Sequence, residues 1–231
     1  GEKSVELSRK HEDQSKYALA LLELGDTYRI FGEIPKGDSL IKLGKEVYIS
    51  LNNEAQVAYA NNKLGALYQN LGKYEEALEY YTSALTTYEN LKDTSSMINP
   101  CINIGLVLMR LDNLKKAESY NKKALAWAEE FKAERSKGYI FNNQAINYKK
   151  FSDSYLRRID ESPADSIMLK DSADFYLTLS LQNHEGALAV AKNLGVNEGE
   201  LKSELNKLIE ELARKLDSEN LRFKDLVYDQ I

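Results

Sequence analysis

The sequence predicts an all-α fold, an α-solenoid of antiparallel helix hairpins with capping helices at the C-terminal end. Two observations carry this prediction. The same residue types return every 40 positions, and within each period the apolar residues follow helical spacing. In addition, only 3 of the 231 residues are proline and 12 are glycine, which favours long helices over a turn-rich β architecture.

Several residue series share the period of 40 and keep one register. Small residues return at Gly25, Gly65, Gly105 and Ala145. Other series run in step with them: Tyr28, Tyr68 and Tyr148; Gly37, Ala77 and Ala117; Gly44, Ala84 and Ala124; Leu51, Leu91 and Phe131. Independent series in one register are hard to obtain by chance. We therefore predict a repeat array over residues 1–195, with units at 18–57, 58–97, 98–137 and 138–195.

Each unit is predicted to contain two helices joined by a turn. In the third unit, apolar residues from Ile104 to Leu111 follow the i, i+3, i+4, i+7 pattern of one helical face. Asp112-Asn113 is a turn and capping signal, and Gly32 and Gly72 mark the corresponding breaks in the first two units. Small residues such as Gly65 and Ala77 would let the two helices of a hairpin approach closely.

The second unit resembles a tetratricopeptide repeat in the run Leu64–Tyr68 and in the following run Leu71–Ala77. The usual repeat has about 34 residues, and the period of 40 resembles the long variant of Leu-Gly-Asn-type scaffolds and bacterial regulatory receptors. The resemblance implies that the α-solenoid is right-handed and that the first helices of successive units line a concave binding groove. Gly37 and Gly44 stand where the family has alanine, so we expect looser helix packing in the first unit.

The fourth unit carries an insertion. Ala187–Ala191 resembles Ala124–Ala128, but the offset exceeds one period by 23 residues, which places an insertion within 149–183. We expect an extended first helix, a loop near residues 160–163, and a long second helix that reaches Leu194 and ends at Gly195.

The pattern changes after the fourth unit. Leucines at 201, 205, 208 and 212 alternate spacings of 4 and 3, as in a short heptad seam. Residues 196–231 are predicted to form either capping helices that close the array or a stalk that leads to a further domain.

Composition and motifs argue against several classes of function. The formal net charge of −5 disfavours a nucleic-acid partner, and no stretch reaches the length of a membrane span. The single cysteine, Cys101, is expected to pack as a small apolar group, and the two histidines, His11 and His184, are expected to have surface or packing roles. Ser39–Lys42 and Ser119–Lys122 match a catalytic serine–lysine spacing, but both lie on predicted second helices and lack the accompanying motifs. We therefore predict no enzyme activity, no cofactor and no metal site.

The register of the resemblance places eleven residues in the predicted peptide-binding groove: Tyr59, Asn62, Lys63, Gln69, Asn99, Asn103, Arg110, Tyr139, Asn142, Asn143 and Lys149. One column of this groove reads Glu23, Lys63, Asn103 and Asn143. Asparagine is a poor residue inside a helix, so these amides either bind the backbone of an extended peptide or bond to neighbouring helices. Basic residues in the groove favour an acidic peptide.

These features predict a protein- or peptide-binding repeat module, the scaffold or sensory part of a larger bacterial regulatory protein. A freestanding adaptor is the first alternative. The second is a small-molecule binder or enzyme that uses the insertion as a lid. The chain opens with Gly1-Glu2 and no initiator methionine, so we expect the natural N-terminus to lie outside it. A removed signal segment would favour the cell envelope over the cytoplasm.

Overall fold

A computed structural model of the chain describes residues 14–161 and 165–195, together with the isolated positions 199 and 203. Residues in this part form eight α-helices and no strand, which confirms the all-α prediction: α1 Gln14–Ile30, α2 Ile34–Ser50, α3 Glu54–Asn70, α4 Tyr74–Leu91, α5 Thr94–Arg110, α6 Leu114–Glu130, α7 Glu134–Glu161 and α8 Ser166–Leu194. None of these helices is long and apolar enough to cross a membrane. The predicted capping or stalk helices over 196–231 lie outside the described residues, apart from the two isolated positions.

The first seven helices begin at a constant step of 20 residues, from Gln14 to Glu134. Most of them have 17 residues and are followed by a three-residue linker. The predicted period of 40 is therefore one hairpin with its two linkers.

Each linker contains one residue in the left-handed backbone conformation, which ends a helix and turns the chain. These residues also recur at a step of 20, with φ between 53° and 80°: Gly32, Asn52, Gly72, Lys92, Asp112 and Lys132. The predicted breaks at Gly32, Gly72 and Asp112 are confirmed. Gly195, at φ 64°, ends α8 as expected.

The described residues fall into two compact units, divided between Trp127 and Ala128. In the first compact unit, α1 packs on α2 and α3 packs on α4. Helix α3 also contacts α1 and α5. The helices α1, α3 and α5 therefore lie side by side. Leu22, Ile41, Leu64 and Leu67 are fully buried in one core cluster, and each contributes about 1.5–3 kcal/mol through burial.

The first hairpin is packed more closely than we expected. A Cβ atom built on Gly37 would lie 2.8 Å from the carbonyl oxygen of Gly25, and one on Gly44 would lie 2.9 Å from the oxygen of Ala18. The prediction of looser packing is wrong, because the glycines let the two helix backbones touch where an alanine methyl would separate them.

The next two hairpins use their glycines differently. A Cβ on Gly65 would lie 2.6 Å from the ring of Tyr81, and one on Gly105 would lie 2.5 Å from Oδ1 of Asn121. In both cases the facing residue comes 16 positions after the glycine, as Ile41 does after Gly25. The glycine thus makes room for a large side chain of the second helix.

The second unit contains α7 and α8, which have 28 and 29 residues. The expected extension of both helices is confirmed. Ser180 Oγ donates to the carbonyl oxygen of Ala145 at 2.8 Å, which ties the two helices together. One helical turn from this bond, Tyr176 contacts four aromatic rings with centroid distances of 4.9–6.1 Å, those of Tyr148, Phe151, Tyr155 and Phe175. The described part of the insertion is therefore a longer hairpin.

Candidate functional site

The candidate site lies on the adjoining helices α1, α3 and α5. We call the surface that carries Glu23, Tyr59, Asn62, Lys63 and Asn103 the inner face. These five side chains come from three successive hairpins. They contact one another across the helices, so that the inner face is a row of polar bridges between neighbouring repeats.

Lys63 is the centre of the bridge between α1 and α3. Its Nζ lies 3.2 Å from Glu23 Oε1 and 3.3 Å from Asp26 Oδ2. It also lies 4.8 Å from the centroid of the Tyr59 ring, and the Tyr59 hydroxyl donates to Glu23 Oε1 at 2.8 Å. The side chain of Lys63 is only 9% exposed. The predicted groove cation is therefore a buried structural charge.

The pKa values of this cluster follow from burial and from the facing charges. Burial alone would lower the pKa of Lys63, but the Asp26 carboxylate and the neighbouring Tyr59 and Glu23 outweigh it and raise that pKa above its usual value. Burial likewise would raise the pKa of Asp26, but the hydrogen bond from Arg29 and the charge of Lys63 hold it below its usual value. Both groups stay charged at neutral pH.

The bridge between α3 and α5 is neutral. Asn103 Nδ2 donates to Asn62 Oδ1 at 3.1 Å. Of the two uses that the sequence left open for these amides, this bond is the one between neighbouring helices. Both side chains are partly exposed.

Three other predicted groove residues of the first compact unit differ in their surroundings. Gln69 accepts a hydrogen bond from the Tyr81 hydroxyl at 3.1 Å and so serves the packing of its own hairpin. Asn99 and Arg110 are exposed on α5. Both are accessible to a partner.

A cleft of about 290 Å³ opens beside the inner face, at the N-terminal ends of α3 and α5. Its walls come from four helices and one linker: Leu19, Ala55, Gln56, Tyr59, Tyr88, Asp93 and Ser96. Leu19 is 42% exposed at its edge, whereas Tyr88 is buried. Tyr59 belongs both to the cleft and to the inner face, so the two are continuous.

The capping of α3 and α5 positions the polar groups of the cleft. Asn53 Oδ1 accepts from Gln56 N at 3.2 Å, and Asp93 Oδ1 accepts from Ser96 N at 3.2 Å. Both bonds satisfy an amide that the first turn of a helix leaves without a partner. Gln56 Oε1 is shielded from solvent and accepts no hydrogen bond within the described part of the chain.

Residues 56–130 match the family model of the tetratricopeptide repeat. The resemblance predicted from Leu64–Ala77 is thereby confirmed for this segment, which contains Asn62, Lys63 and Asn103 of the inner face.

Two solved structures resemble the whole chain. Aspartyl phosphate phosphatase F from Bacillus subtilis matches with a TM-score of 0.65 and 18% identity, over 94% of this chain and 50% of that protein. This chain thus spans half the length of that relative. BtubC (BKLC) from P. vanneervenii matches with a TM-score of 0.59 and 17% identity, over 95% of this chain and 89% of that protein. At these identities the likeness concerns the fold, a helical repeat solenoid. No curated protein matches the sequence significantly.

Four predicted groove residues lie in the second compact unit. Tyr139 is 62% exposed, and Asn143 is buried. Lys149 Nζ pairs with Asp153 Oδ1 at 2.6 Å. Asn142 Oδ1 is shielded from solvent and has no hydrogen-bond partner among the residues that the structure describes.

The sequence pointed to Tyr59 but missed Gln56, Tyr88 and Asp93 as cleft residues. They belong to helix starts and to a second helix, whereas the family register directs attention to the middle of the first helices. One signal was present. The caps Asn53 and Asp93 stand one period apart, in step with the other series.

The cysteine and the one histidine among the described residues are buried. Cys101 is fully buried, and burial raises the pKa of its thiol to about 12. The ring of His184 is buried, with Nδ1 3.1 Å from the carbonyl oxygen of Ser180. Both residues pack within helices, as expected. Across the described ranges, no group of three or more His, Cys, Asp or Glu side chains could hold a metal ion.

Proposed function

We propose that this chain is a protein-interaction module whose inner face binds an extended segment of another protein. The observation that carries the proposal is the cleft of about 290 Å³ that continues the inner face and leaves Leu19 exposed at its edge. Helical repeat scaffolds generally present such continuous surfaces to partners, which supports a binding role over a catalytic one.

The inner face offers both kinds of contact that an extended peptide needs. Leu19 and Tyr59 supply apolar and aromatic area beside the cleft, and Asn62, Asn99 and Asn103 supply amides. Side-chain amides can bond to peptide backbone groups without selecting one side chain. We infer that the amides hold the backbone and that the cleft receives one side chain.

A preference for an acidic partner remains part of the proposal, but its support is narrow. Lys63 and Lys149 already pair with carboxylates at 3.2 Å and 2.6 Å. Arg110 is exposed, and it has no ion pair within the described residues. An acidic residue of the partner is therefore expected at the C-terminal end of α5, where Arg110 stands.

Blocking the cleft tests the proposal. A partner is first captured from a lysate of the source organism and purified, and its affinity for the chain is measured. Leu19→Arg should lower this affinity at least tenfold, because the longer charged side chain fills the cleft mouth. Leu43→Arg is the matched control, since Leu43 is 41% exposed on α2, away from the inner face, against 42% for Leu19. Equal affinity of the Leu19→Arg variant and the wild type would refute the inner-face site.

Arg110 is tested separately with the same partner. Arg110→Ala should lower the affinity for an acidic partner severalfold and reduce the salt dependence of binding. Lys115→Ala, an exposed cation on α6, is the control. A partner that lacks acidic residues in its binding segment, or an unchanged affinity, would remove the acidic preference and leave the cleft proposal untouched.

We also propose that the chain belongs to a larger bacterial regulatory protein, as its sensory or scaffolding part, with a location in the cell envelope. The freestanding adaptor is the alternative. The gene decides between them. A reading frame that continues past Ile231 into a membrane span and a signalling domain supports the larger protein, whereas a stop codon directly after Ile231 supports the adaptor.

A further inference from the structure

We propose that Lys63 and Tyr59 form a binding site for one carboxylate, which Glu23 of the same chain occupies, and that an aspartate or glutamate side chain of the partner segment takes its place. The inference rests on the proposed peptide-binding role of the inner face and deepens it. It assigns a position and a chemical class to one residue of the partner.

The structure shows how this site holds a carboxylate. Lys63 Nζ lies 3.2 Å from Glu23 Oε1 and 3.3 Å from Glu23 Oε2, and the Tyr59 hydroxyl donates to Oε1 at 2.8 Å. Both carboxylate oxygens are therefore bound, and one of them contacts two donors. The side chain of Lys63 is only 9% exposed, so little water screens its charge and the bonds that it donates are strengthened.

The second donor of the site keeps its proton at neutral pH. Burial raises the pKa of Tyr59, and the hydrogen bond to Glu23 raises it further, against the charge of Lys63. Tyr59 therefore acts as a neutral O–H donor to a carboxylate, beside the ammonium group of Lys63.

Glu23 is the exchangeable carboxylate of the cluster. Its side chain is 51% exposed, whereas that of Asp26 is 22% exposed. Asp26 is also held by Arg29, whose Nε donates to Asp26 Oδ1 at 2.6 Å. A carboxylate that arrives from solvent can thus reach the place of Glu23 while Asp26 stays bound. The displaced glutamate regains rotamer freedom in water, which offsets part of the cost of the exchange.

The position of the site suits a partner on the inner face. Tyr59 also lines the cleft, and the next residue before Lys63 is Asn62, which bonds to Asn103. A segment that lies along the cleft and these amides would pass the place of Glu23.

Other side chains fit that place less well than a carboxylate does. A neutral side chain that displaced Glu23 would remove one of the two negative charges that face the buried ammonium of Lys63. A cationic side chain would be repelled by the same ammonium group. A carboxylate restores both the negative charge and the acceptor of the Tyr59 hydroxyl.

Removal of Glu23 and addition of a small carboxylate test the inference without knowledge of the partner. N-acetyl-glutamate amide carries one side-chain carboxylate, and N-acetyl-glutamine amide has nearly the same shape without the charge. In ¹H–¹⁵N spectra of the full Glu23→Ala chain at constant ionic strength, the glutamate probe should shift the amides of Tyr59 and Lys63. We expect a Kd on the order of 10 mM for so small a ligand. The glutamine probe should bind at least fivefold more weakly. The wild type should also bind the glutamate probe at least fivefold more weakly, because Glu23 occupies the site.

Two further variants localise the effect. Glu33→Ala is the matched control, since Glu33 is 52% exposed and pairs with Lys36 at 3.0 Å, but Lys36 is 60% exposed. Its removal should create no site for the glutamate probe, because an exposed lysine binds carboxylates weakly. Tyr59→Phe in the Glu23→Ala background removes one donor and should weaken the probe at least threefold. If Glu23→Ala disturbs α1, Glu23→Gln keeps the side-chain size and should still bind the glutamate probe more tightly than the wild type does.

Three results would overturn the inference. The first is a glutamate probe that leaves the amides of Tyr59 and Lys63 unmoved in Glu23→Ala. The second is equal binding of the two probes to that variant. The third is equal affinity of the glutamate probe for the variant and the wild type.

The captured partner separates this inference from the proposed function. Glu23→Ala should raise the affinity for that partner at least threefold, because the internal competitor is gone. If Leu19→Arg releases the partner but Glu23→Ala does not raise its affinity, the exchange is wrong and the binding face stands. If the glutamate probe binds to Glu23→Ala but Leu19→Arg retains the partner at full affinity, the proposed function is wrong and the carboxylate site stands without that partner.

Discussion

The first and second hairpins bring their helices together at the same repeat positions by different means. In the first, the side chain of Ile41 lies against Gly25, and Gly25 and Gly37 also face each other, so that the two backbones touch. In the second, Gly65 lies under the ring of Tyr81, and the position that matches Gly37 is alanine, Ala77. The repeat position therefore predicts that a small residue is needed there. The facing residues determine whether only a side chain or also the opposite backbone occupies the space.

The largest effect should come from the backbone contact of the first hairpin. Gly37→Ala would place a methyl carbon 2.8 Å from the carbonyl oxygen of Gly25, which cannot rotate away. We expect the free energy of unfolding to fall by about 2–3 kcal/mol, as for overpacked cores. The reverse change at the matching position, Ala77→Gly, should cost only about 1 kcal/mol through helix propensity. Urea unfolding followed by circular dichroism measures both, and similar costs would remove the distinction between the hairpins.

The side-chain contact of the second hairpin should be relieved by a second substitution. Gly65→Ala would place a methyl carbon 2.6 Å from the Tyr81 ring and is expected to cost about 2 kcal/mol. In a Tyr81→Leu background the same change should cost less than about 1 kcal/mol, because the ring is gone. A double-mutant cycle measures this coupling. Additive costs would show that the ring does not carry the strain.

The ion pairs that join the two hairpins should contribute less. Lys63→Met is expected to cost about 1–2 kcal/mol at pH 7, because it leaves Glu23 without its cation and Asp26 with Arg29 alone. The exposed pair of Lys36 with Glu33, 3.0 Å long, is the control, and Lys36→Met should cost less than about 0.5 kcal/mol.

The sign of the pH dependence follows from the lowered pKa of Asp26. Its charge stabilises the folded chain fully above the ordinary carboxyl pKa, and this contribution is lost as the pH falls through the lower folded value. The cost of Lys63→Met should therefore shrink below about pH 4. Unfolding midpoints of wild type and variant that stay equally far apart at acidic pH would contradict this role of Asp26.

The turns should give the smallest effects. Gly72 turns the second hairpin at φ 71°, whereas Lys92, with a Cβ, follows that hairpin at φ 56°. Lys92→Gly should stabilise the chain by about 0.5–1 kcal/mol, and Gly72→Ala should destabilise it by about 1 kcal/mol. Lys92→Ala, which keeps the strain, serves as the control in thermal unfolding. If Lys92→Gly gains no more than Lys92→Ala, the left-handed turn is not a source of strain.

The sequence was informative where size alone decides a position. Gly65 and Ala77 stand out as members of series because every unit needs a small residue there. Ile41, Tyr81 and Asn121 occupy one place in three hairpins, yet their chemical types differ, so no series marks them. These three residues occupy equivalent places in their hairpins but differ in side-chain type, so the equivalence is visible only in the structure.

Charges show the same limit at the candidate site. Glu23 and Lys63 were placed in one column a period apart, and the column was interpreted as a set of groups that face a ligand. In the structure these two side chains face each other at 3.2 Å. The direction of a long side chain depends on its neighbours, which spacing alone does not give. The cleft was missed for a related reason, since its walls come from three different hairpins.

The constant step of 20 residues has a consequence for the length of the array. Because every linker of the first six helices ends at the same phase, removal of residues 54–93 would join Asn53 to Thr94 with each helix and turn intact. The backbone pattern therefore repeats after one period, so whole hairpins could be removed or added without changing any helix or turn. The side chains do not repeat in this way, because such an excision would set Glu23 against Asn103 in place of Lys63. Whole hairpins are therefore interchangeable as lengths of chain, while the identity of each junction is set by the few polar residues that meet there.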